Sequence, residues 1–162
     1  MDGGILLKKG IIGLPALLLT LCLFFACGAQ FPAETEAVEA LSGAGATLDE
    51  GGTYTTAEDV ALYIHQYGTL PGNFITKKEA RQLGWDGGGL EDYAPGMSIG
   101  GDHFGNYEGT LPDEQGRTYR ECDIDTRGAN SRGAKRVIYS NDGLIYYTDD
   151  HYETFTLLYG EE

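Results

Sequence analysis

The run Arg117-Thr-Tyr-Arg-Glu-Cys-Asp-Ile124 decides the fold of this chain, because it reads as a β-strand with two chemically different faces. Alternate side chains of a strand point to opposite sides of its sheet. One face carries Tyr119, Glu121 and Asp123, and the other carries Arg120, Cys122 and Ile124. The strand therefore places two acids on the face that Tyr119 shares. Glu121 there either faces a cleft or is an exposed strand acid paired with an arginine.

Further strands follow this run toward the C-terminus. Three short β-rich segments cover Val137–Ser140, Leu144–Thr148 and Thr154–Leu158, separated by Gly, Asn and Asp. Asn141-Asp142-Gly143 predicts a tight hairpin between the first two, since such a turn needs residues that tolerate positive φ. The C-terminal half is therefore predicted to form an antiparallel sheet.

Helices are predicted before these strands. Thr56 is a hydroxyl N-cap ahead of apolar residues at helical spacing, and Gly68 ends this first helix. The capping box Thr76-Lys77-Lys78-Glu79 opens a second, shorter helix, which Gly84 ends. Residues 90–93 are predicted to form a third short turn. Helices followed by neighbouring strands indicate an α+β fold.

The N-terminal third has a different composition. In residues 1–29, two lysines precede an uncharged run from Ile11 to Ala26, which is typical of an export signal. Cleavage after Ala29 releases the protein, whereas cleavage before Cys27 leaves a lipoprotein anchored through that cysteine, and both alternatives stay open. Residues 30–53 are predicted to be an acidic, disordered linker or pro-segment. The folded domain is predicted to cover residues 54–162.

Charge and cysteine content limit the function. Eleven Lys and Arg against 25 Asp and Glu give a net charge of −14, which on average argues against a polyanionic partner. The segment from Arg117 to Arg136 is the exception, with six basic residues against three acids. Three cysteines are too few for a disulfide framework or a zinc cluster, and Cys122 is interpreted as a small buried hydrophobe.

A set of charged residues matches one kind of chemistry. Glu121 is a candidate base, His151 a candidate acid, and two arginines four residues apart, Arg132 and Arg136, can bind a phosphate. Together with a lysine, these groups are what metal-independent cleavage of a phosphodiester beside a ribose 2′-hydroxyl requires. The three histidines are too scattered for a metal nuclease, so no metal and no cofactor are expected.

Four stretches carry a resemblance to a known family: Leu70–Trp85, Ala94–Asp102, Gly116–Ile124 and Asp150–Thr156. In order and with few gaps, residues 56–157 resemble the barnase-like, secreted bacterial guanyl-preferring ribonucleases, a branch of the microbial ribonuclease family. The resemblance implies about three N-terminal helices packed on a five-stranded antiparallel β-sheet.

The resemblance also implies a reaction on single-stranded RNA. Cleavage 3′ to guanosine forms a 2′,3′-cyclic phosphate, which is then hydrolysed. Glu121 falls at the position of the general base and His151 at that of the general acid. The remaining catalytic positions are cationic and correspond to Lys77, Arg132 and Arg136.

Guanine recognition is implied for one loop and one aromatic residue. The matching residues are Phe104, Gly105, Asn106, Tyr107, Glu108 and Tyr152. Backbone N–H groups of this loop meet guanine O6 in the family, and the position of Glu108 accepts from the guanine N1–H and amino group. Tyr107 stands where the family has an arginine.

These observations predict a secreted, monomeric endoribonuclease that acts on RNA and not on DNA. A barstar-like protein inhibitor is a partner that the family implies, and the only expected membrane contact is a lipid on Cys27. The alternative is a domain of the same fold that binds RNA or a protein without cleavage. The full set of catalytic residue types favours the enzyme, since a binding module needs no base opposite an acid.

Overall fold

The computed structural model describes residues 45–162. Within this range the chain forms two helices and six strands. In chain order these are α1 (Ala57–Tyr67), β1 (Phe74–Ile75), α2 (Lys77–Gln82), β2 (Ser98–Phe104), β3 (Tyr119–Asp123), β4 (Arg136–Ser140), β5 (Ile145–Thr148) and β6 (Thr156–Tyr159). The predicted α+β class is confirmed.

The predicted count of three helices and five strands is wrong. Residues 90–93 form only a hydrogen-bonded turn, in which the N–H groups of Tyr93 and Ala94 donate to Leu90 O at 3.0 and 2.9 Å. Pro95 follows at once and has no N–H with which to extend a helix. The sixth strand is β1, two residues that pair in parallel with β2, so the sheet is not wholly antiparallel.

Both helices begin and end where their caps predict. The Thr56 hydroxyl accepts from the Asp59 N–H at 3.2 Å, and Gly68 closes α1 in the left-handed conformation. At α2, Thr76 and Glu79 satisfy each other's backbone N–H groups in the predicted capping box. These caps fix Lys77 as the first residue of α2.

The six strands lie in the sheet in sequence order, and every pairing after β1 with β2 is antiparallel. β4 and β5 are joined by the predicted hairpin, in which Gly143 has φ 104. Glu121 lies opposite Ile138 and Cys122 opposite Val137. The predicted alternation of β3 is confirmed, because Cys122 packs toward α1 while Glu121 lies on the other side of the sheet.

Three apolar clusters hold these elements together. The first lies between α1 and the sheet and includes Val60, Ala61, Ile64, Cys122, Val137 and Ile145. A second surrounds α2 and includes Ala80, Trp85, Leu90, Ala94 and Ile99. The third covers the opposite sheet face and includes Leu111, Tyr119, Ile138, Leu144 and Tyr146. Phe104, Tyr152 and Phe155 extend this third cluster toward Glu121.

The first described residues lie against α1. Gln66 accepts from the Leu48 N–H at 3.0 Å and donates to Ala46 O, and the hydroxyls of Tyr63 and Tyr67 donate to Glu50 O and Leu48 O. The residues that make these contacts with α1 lie within segment 30–53, which the sequence predicts to be a linker. The predicted export signal and the linker as far as residue 44 lie outside the described residues. No helix among residues 45–162 is long and apolar enough to cross a membrane.

Candidate active site

Glu121 is the centre of a hydrogen-bonded group on β3. Its Oε1 accepts from Lys77 Nζ at 2.6 Å, and its Oε2 accepts from the Tyr152 hydroxyl at 2.5 Å. The residue is 7% exposed, so these bonds form in a largely desolvated environment. α2, β3 and the β5–β6 loop thus bring three distant parts of the sequence to one carboxylate.

The neighbours of Glu121 control its charge. Burial raises the pKa of Glu121, but the hydrogen bonds from Lys77 and Tyr152 and the charges of Lys77 and Arg132 outweigh burial, so the pKa lies below its ordinary value. Burial and the bond to Glu121 raise the pKa of Tyr152, which therefore keeps its hydroxyl proton. A carboxylate ionised at neutral pH is the form that a general base requires.

Asp123, two residues along the same strand face, holds both predicted arginines. Arg132 donates to its two oxygens through Nε and Nη2 at 2.7 Å each, and Arg136 Nε lies 3.0 Å from Asp123 Oδ1. Burial raises the pKa of Asp123, and the charges of Arg132 and Arg136 oppose that rise. Arg136 is 2% exposed, whereas a quarter of the Arg132 side chain is exposed. Arg132 is therefore the arginine more accessible to a phosphate.

Arg136 also connects the arginine pair to Glu121. Its Nε lies 3.1 Å from the Tyr152 hydroxyl oxygen, the same group that donates to Glu121. The Arg136 guanidinium carbon lies 5.9 Å from the centre of the Tyr152 ring, within range of a cation–π contact. The Tyr152 hydroxyl is therefore a hydrogen-bond partner of both Glu121 and Arg136.

A cavity of about 400 Å³ opens beside Glu121. Its walls contain His151, Tyr152 and the whole of the predicted guanine loop, residues 104–108. His151 is exposed and lies on the loop between β5 and β6. The structure therefore brings the predicted base, acid and base-recognition loop to one cavity. Lys77, Arg132 and Arg136 do not line it, but Lys77 binds Glu121 and Arg136 binds Tyr152, which do.

The 104–108 loop is held by its asparagine. Asn106 Nδ2 donates to Leu111 O at 2.9 Å, and Asn106 Oδ1 accepts from the Leu111 N–H at 3.0 Å. Asn106 has φ 43, a conformation that asparagine tolerates better than most residues. The Asn106 side chain is therefore occupied in holding the loop.

Aromatic rings form the walls of the cavity. Phe104 stacks on Tyr152 with ring centres 5.5 Å apart, and Phe155 meets Phe104 edge-on at 6.3 Å. Tyr107 is 90% exposed, and its ring covers Gly105 so closely that a Cβ there would lie 2.2 Å from it. Gly105 is therefore needed for the observed position of Tyr107.

The sequence did not predict three features of the site. Asp123 was predicted only as a residue on the same face as Glu121. Its partners are Arg132, in the loop before β4, and Arg136, the first residue of β4, and strand alternation within β3 cannot predict these contacts. The Tyr152 hydroxyl bond to Glu121 joins residues 31 positions apart, which no local pattern signals. His103 and Phe155 also line the cavity; His103 lies directly before Phe104, the first predicted residue of the loop.

A larger cavity, of about 610 Å³, lies away from these residues. It is formed by the end of α1 and the β4–β5 hairpin, and His65, Arg120 and Asp142 are among its lining residues. It contains no carboxylate paired with a lysine, so the smaller cavity is the better candidate for catalysis. No cluster of three or more His, Cys, Asp or Glu side chains suited to a metal occurs among residues 45–162.

Comparisons with known proteins identify the family to which this chain is similar. The family model described as ribonuclease matches residues 57–159. A ribonuclease of Bacillus intermedius is 52% identical over 103 residues, which cover 62% of this chain and 63% of that protein. A ribonuclease of Heyndrickxia coagulans is 52% identical over 102 residues, which cover 62% of this chain and 93% of that protein.

A more distant relative carries a more specific name. The guanyl-specific ribonuclease St of Saccharopolyspora erythraea is 43% identical over 54 residues, which cover 33% of this chain and 54% of that protein. The chain spans 63% of the length of the Bacillus relative. The resemblance predicted from the sequence is confirmed, and the match over residues 57–159 shows that this chain belongs to the ribonuclease family.

Proposed function

We propose that this protein is an endoribonuclease that cleaves single-stranded RNA 3′ to guanosine without a metal ion. The observation that carries the proposal is a carboxylate with a lowered pKa at the edge of a cavity that His151 also lines. Perturbed titratable groups that converge on one cavity are typical of acid–base catalysis. Membership of the ribonuclease family and the guanyl-specific relatives support the choice of substrate.

The first step is a transesterification within the RNA. Glu121 takes the proton of the ribose 2′-hydroxyl, whose oxygen attacks the adjacent phosphorus. Lys77 and Arg132 stabilise the negative charge that grows on the phosphoryl oxygens, with Arg136 acting from its buried position. His151 donates a proton to the departing 5′-oxygen. The products are a 2′,3′-cyclic phosphate and a free 5′-hydroxyl.

The second step hydrolyses the cyclic phosphate with the two roles exchanged. His151, now neutral, takes a proton from water, whose oxygen attacks the phosphorus. Glu121, now protonated, returns its proton to the 2′-oxygen. The product is a 3′-phosphate, and both residues regain their starting protonation states. Because no metal takes part in either step, a chelator leaves the rate unchanged.

Guanine is assigned to the loop of residues 104–108. The tethered Asn106 turn presents backbone N–H groups to guanine O6, and Glu108 accepts from N1–H and the amino group. Phe104 and Tyr152 provide aromatic surface beside the base. The proposal therefore predicts a preference for guanosine over adenosine, because adenine offers no N1–H and no O6.

A dinucleoside phosphate tests the proposal directly. The purified protein is incubated with guanylyl-(3′→5′)-cytidine, with and without EDTA, and with the corresponding deoxy compound as a control. We expect guanosine 2′,3′-cyclic phosphate from the ribose substrate in both buffers and no product from the deoxy compound. Absence of the cyclic product, or its loss in EDTA, would overturn the proposal.

We further propose that the protein is exported and acts as a monomer, with a barstar-like inhibitor as a candidate partner. The uncharged run before Ala26 supports export. Mass spectrometry of the protein from its native host tests the route. A diacylglyceryl group on Cys27 means an anchored lipoprotein, and an N-terminus at Gln30 or later means release. Retention of residues 1–26 would contradict export.

A further inference from the structure

The loop between β5 and β6 holds two adjacent residues in an unusual backbone conformation. His151 has φ 61 and Tyr152 has φ 75. Residues with side chains seldom occupy this left-handed region, and they stay there only where surrounding contacts hold them. Histidine occurs in this region more often than most residues, but tyrosine does not. Two such residues in succession therefore need an internal support that keeps the His151 imidazole at the cavity.

Asp150 supplies that support. Its Oδ1 accepts from the Thr148 hydroxyl at 2.8 Å and from the N–H groups of Glu153 and Thr154 at 3.0 Å each. Its Oδ2 accepts from the Thr154 hydroxyl at 2.6 Å. One carboxylate thus joins the residues that precede His151 to those that follow it.

The support extends to Tyr152 and the sheet. The Thr148 hydroxyl oxygen accepts from the Tyr152 N–H at 3.1 Å, and Thr148 is 2% exposed at the end of β5, opposite Arg136. Hydrogen bonds from Thr154, followed by those from Thr148 and Glu153, lower the pKa of Asp150 to about 2. The carboxylate is therefore charged, and a strong acceptor, throughout the neutral range.

We propose that Asp150 is a positioning residue for His151, the proposed general acid. Asp150 does not line the cavity. It acts by fixing the strained backbone from which the imidazole reaches the leaving 5′-oxygen. This inference rests on the proposed function, because it concerns the proton that His151 delivers during RNA cleavage.

Two substrates with different leaving groups test the inference. Guanylyl-(3′→5′)-cytidine expels an alkoxide, which needs a proton from His151. A guanosine 3′-(4-nitrophenyl phosphate) expels a phenolate, which leaves without one. The variant is Asp150→Ala, and the matched control is Asp149→Ala, since Asp149 is exposed and makes no side-chain hydrogen bond found within residues 45–162. Thermal unfolding is recorded for every variant.

Misplacement of a catalytic group by about 1 Å can cost about 10²-fold in rate. We expect Asp150→Ala to lower kcat for the dinucleoside by about 10–10²-fold, with little change for the nitrophenyl ester. We expect Asp150→Asn to restore most of the loss, since it keeps an oxygen at Oδ1, where three of the four bonds end. Asp149→Ala should match the wild type on both substrates.

Equal falls on the two substrates, or wild-type rates for Asp150→Ala, would overturn the inference while leaving the proposed function intact. A wild-type protein inactive on both substrates would overturn the proposed function and this inference with it. If Asp150→Ala does not fold, Thr154→Val replaces it, because it removes only the hydroxyl donor to Oδ2. The same comparison of substrates then applies, with a smaller expected difference.

Discussion

Lys77 Nζ lies 2.6 Å from Glu121 Oε1, so the first residue of α2 holds the charge of the central carboxylate on β3. Only 9% of the Glu121 side chain is exposed, against 27% of the Lys77 side chain. The Glu121 carboxylate is therefore shielded from solvent, whereas the Lys77 side chain is partly open to it. Lys77 both lowers the pKa of Glu121 and remains accessible to a phosphate.

Replacing Lys77 tests the first of these effects. The lysine hydrogen bond and charge lower the pKa of Glu121, so Lys77→Met raises that pKa. The acidic limb of the kcat/KM profile, where Glu121 becomes protonated, must then move to higher pH. At neutral pH we expect a rate loss of about 10²–10³-fold, as for the loss of one donor to a developing oxyanion.

The control for this change is Lys78→Met, since Lys78 is the next residue of α2 and is exposed. Steady-state rates on a dinucleoside phosphate across the acidic range provide the measurement. An acidic limb at the same pH in wild type and Lys77→Met would show that Lys77 does not set the charge of Glu121.

The Tyr152 hydroxyl gives a second, independent effect on Glu121. Tyr152→Phe removes the hydrogen bond to Oε2 but keeps the ring that stacks on Phe104. We expect the acidic limb of the kcat profile to move to higher pH, with KM for a guanosine substrate nearly unchanged. A large rise in KM without movement of the limb would assign the hydroxyl to substrate binding.

Asp123 is predicted to be essential for stability, since it lies between two guanidinium groups. Removing one partner of a buried ion pair typically costs about 3–5 kcal/mol, because the other charge stays buried without compensation. Asp123→Asn should lower the free energy of unfolding by about this amount in urea titrations. Asp125→Asn is the matched control, because it breaks an exposed pair with Lys135 that is worth about 0–1 kcal/mol. Equal losses in the two variants would refute the assignment.

The salt dependence of the reaction follows from the ion pairs that the basic residues form and from the net charge of the chain. Between Arg117 and Arg136, four basic side chains form ion pairs within the domain: Arg117, Arg132, Lys135 and Arg136. The net charge of −14 adds repulsion toward RNA. Because added salt screens repulsion as well as attraction, we expect kcat/KM on single-stranded RNA to stay level or to rise with added salt.

Initial rates at about 50 mM and about 200 mM salt measure this dependence. A protein that makes many phosphate contacts loses about 10³-fold or more in affinity over that interval. A fall of that size in kcat/KM would contradict the expectation and indicate an extended basic surface.

Local signals predicted the parts of the fold that local interactions determine. The caps at Thr56 and Thr76 and the Asn141-Asp142-Gly143 turn satisfy nearby backbone groups, so the pattern around each is sufficient. β1 and β2 were missed as strands for a different reason. β1 has only two residues, and β2 contains Gly100 and Gly101 and is held by pairing with β3, about twenty residues further along the chain.

The distinction between local signals and long-range contacts also applies to the site. Strand alternation predicted the side of the sheet on which Glu121 lies, and the family resemblance predicted that His151 and the cationic residues belong to the same site. Neither predicted that Asp123 binds both arginines, because that contact depends on the path of the loop before β4. The strained backbone of His151 also has no signature in the residues themselves.

Formation of the 2′,3′-cyclic phosphate by Glu121→Ala tests the central claim most directly. The substrate is guanylyl-(3′→5′)-cytidine, and the matched control is Glu58→Ala, an exposed acid on α1. Loss of a general base typically costs about 10²–10⁴-fold. The account predicts a fall in kcat within this range for Glu121→Ala and none for Glu58→Ala. An unchanged rate of cyclic phosphate formation in Glu121→Ala would contradict it.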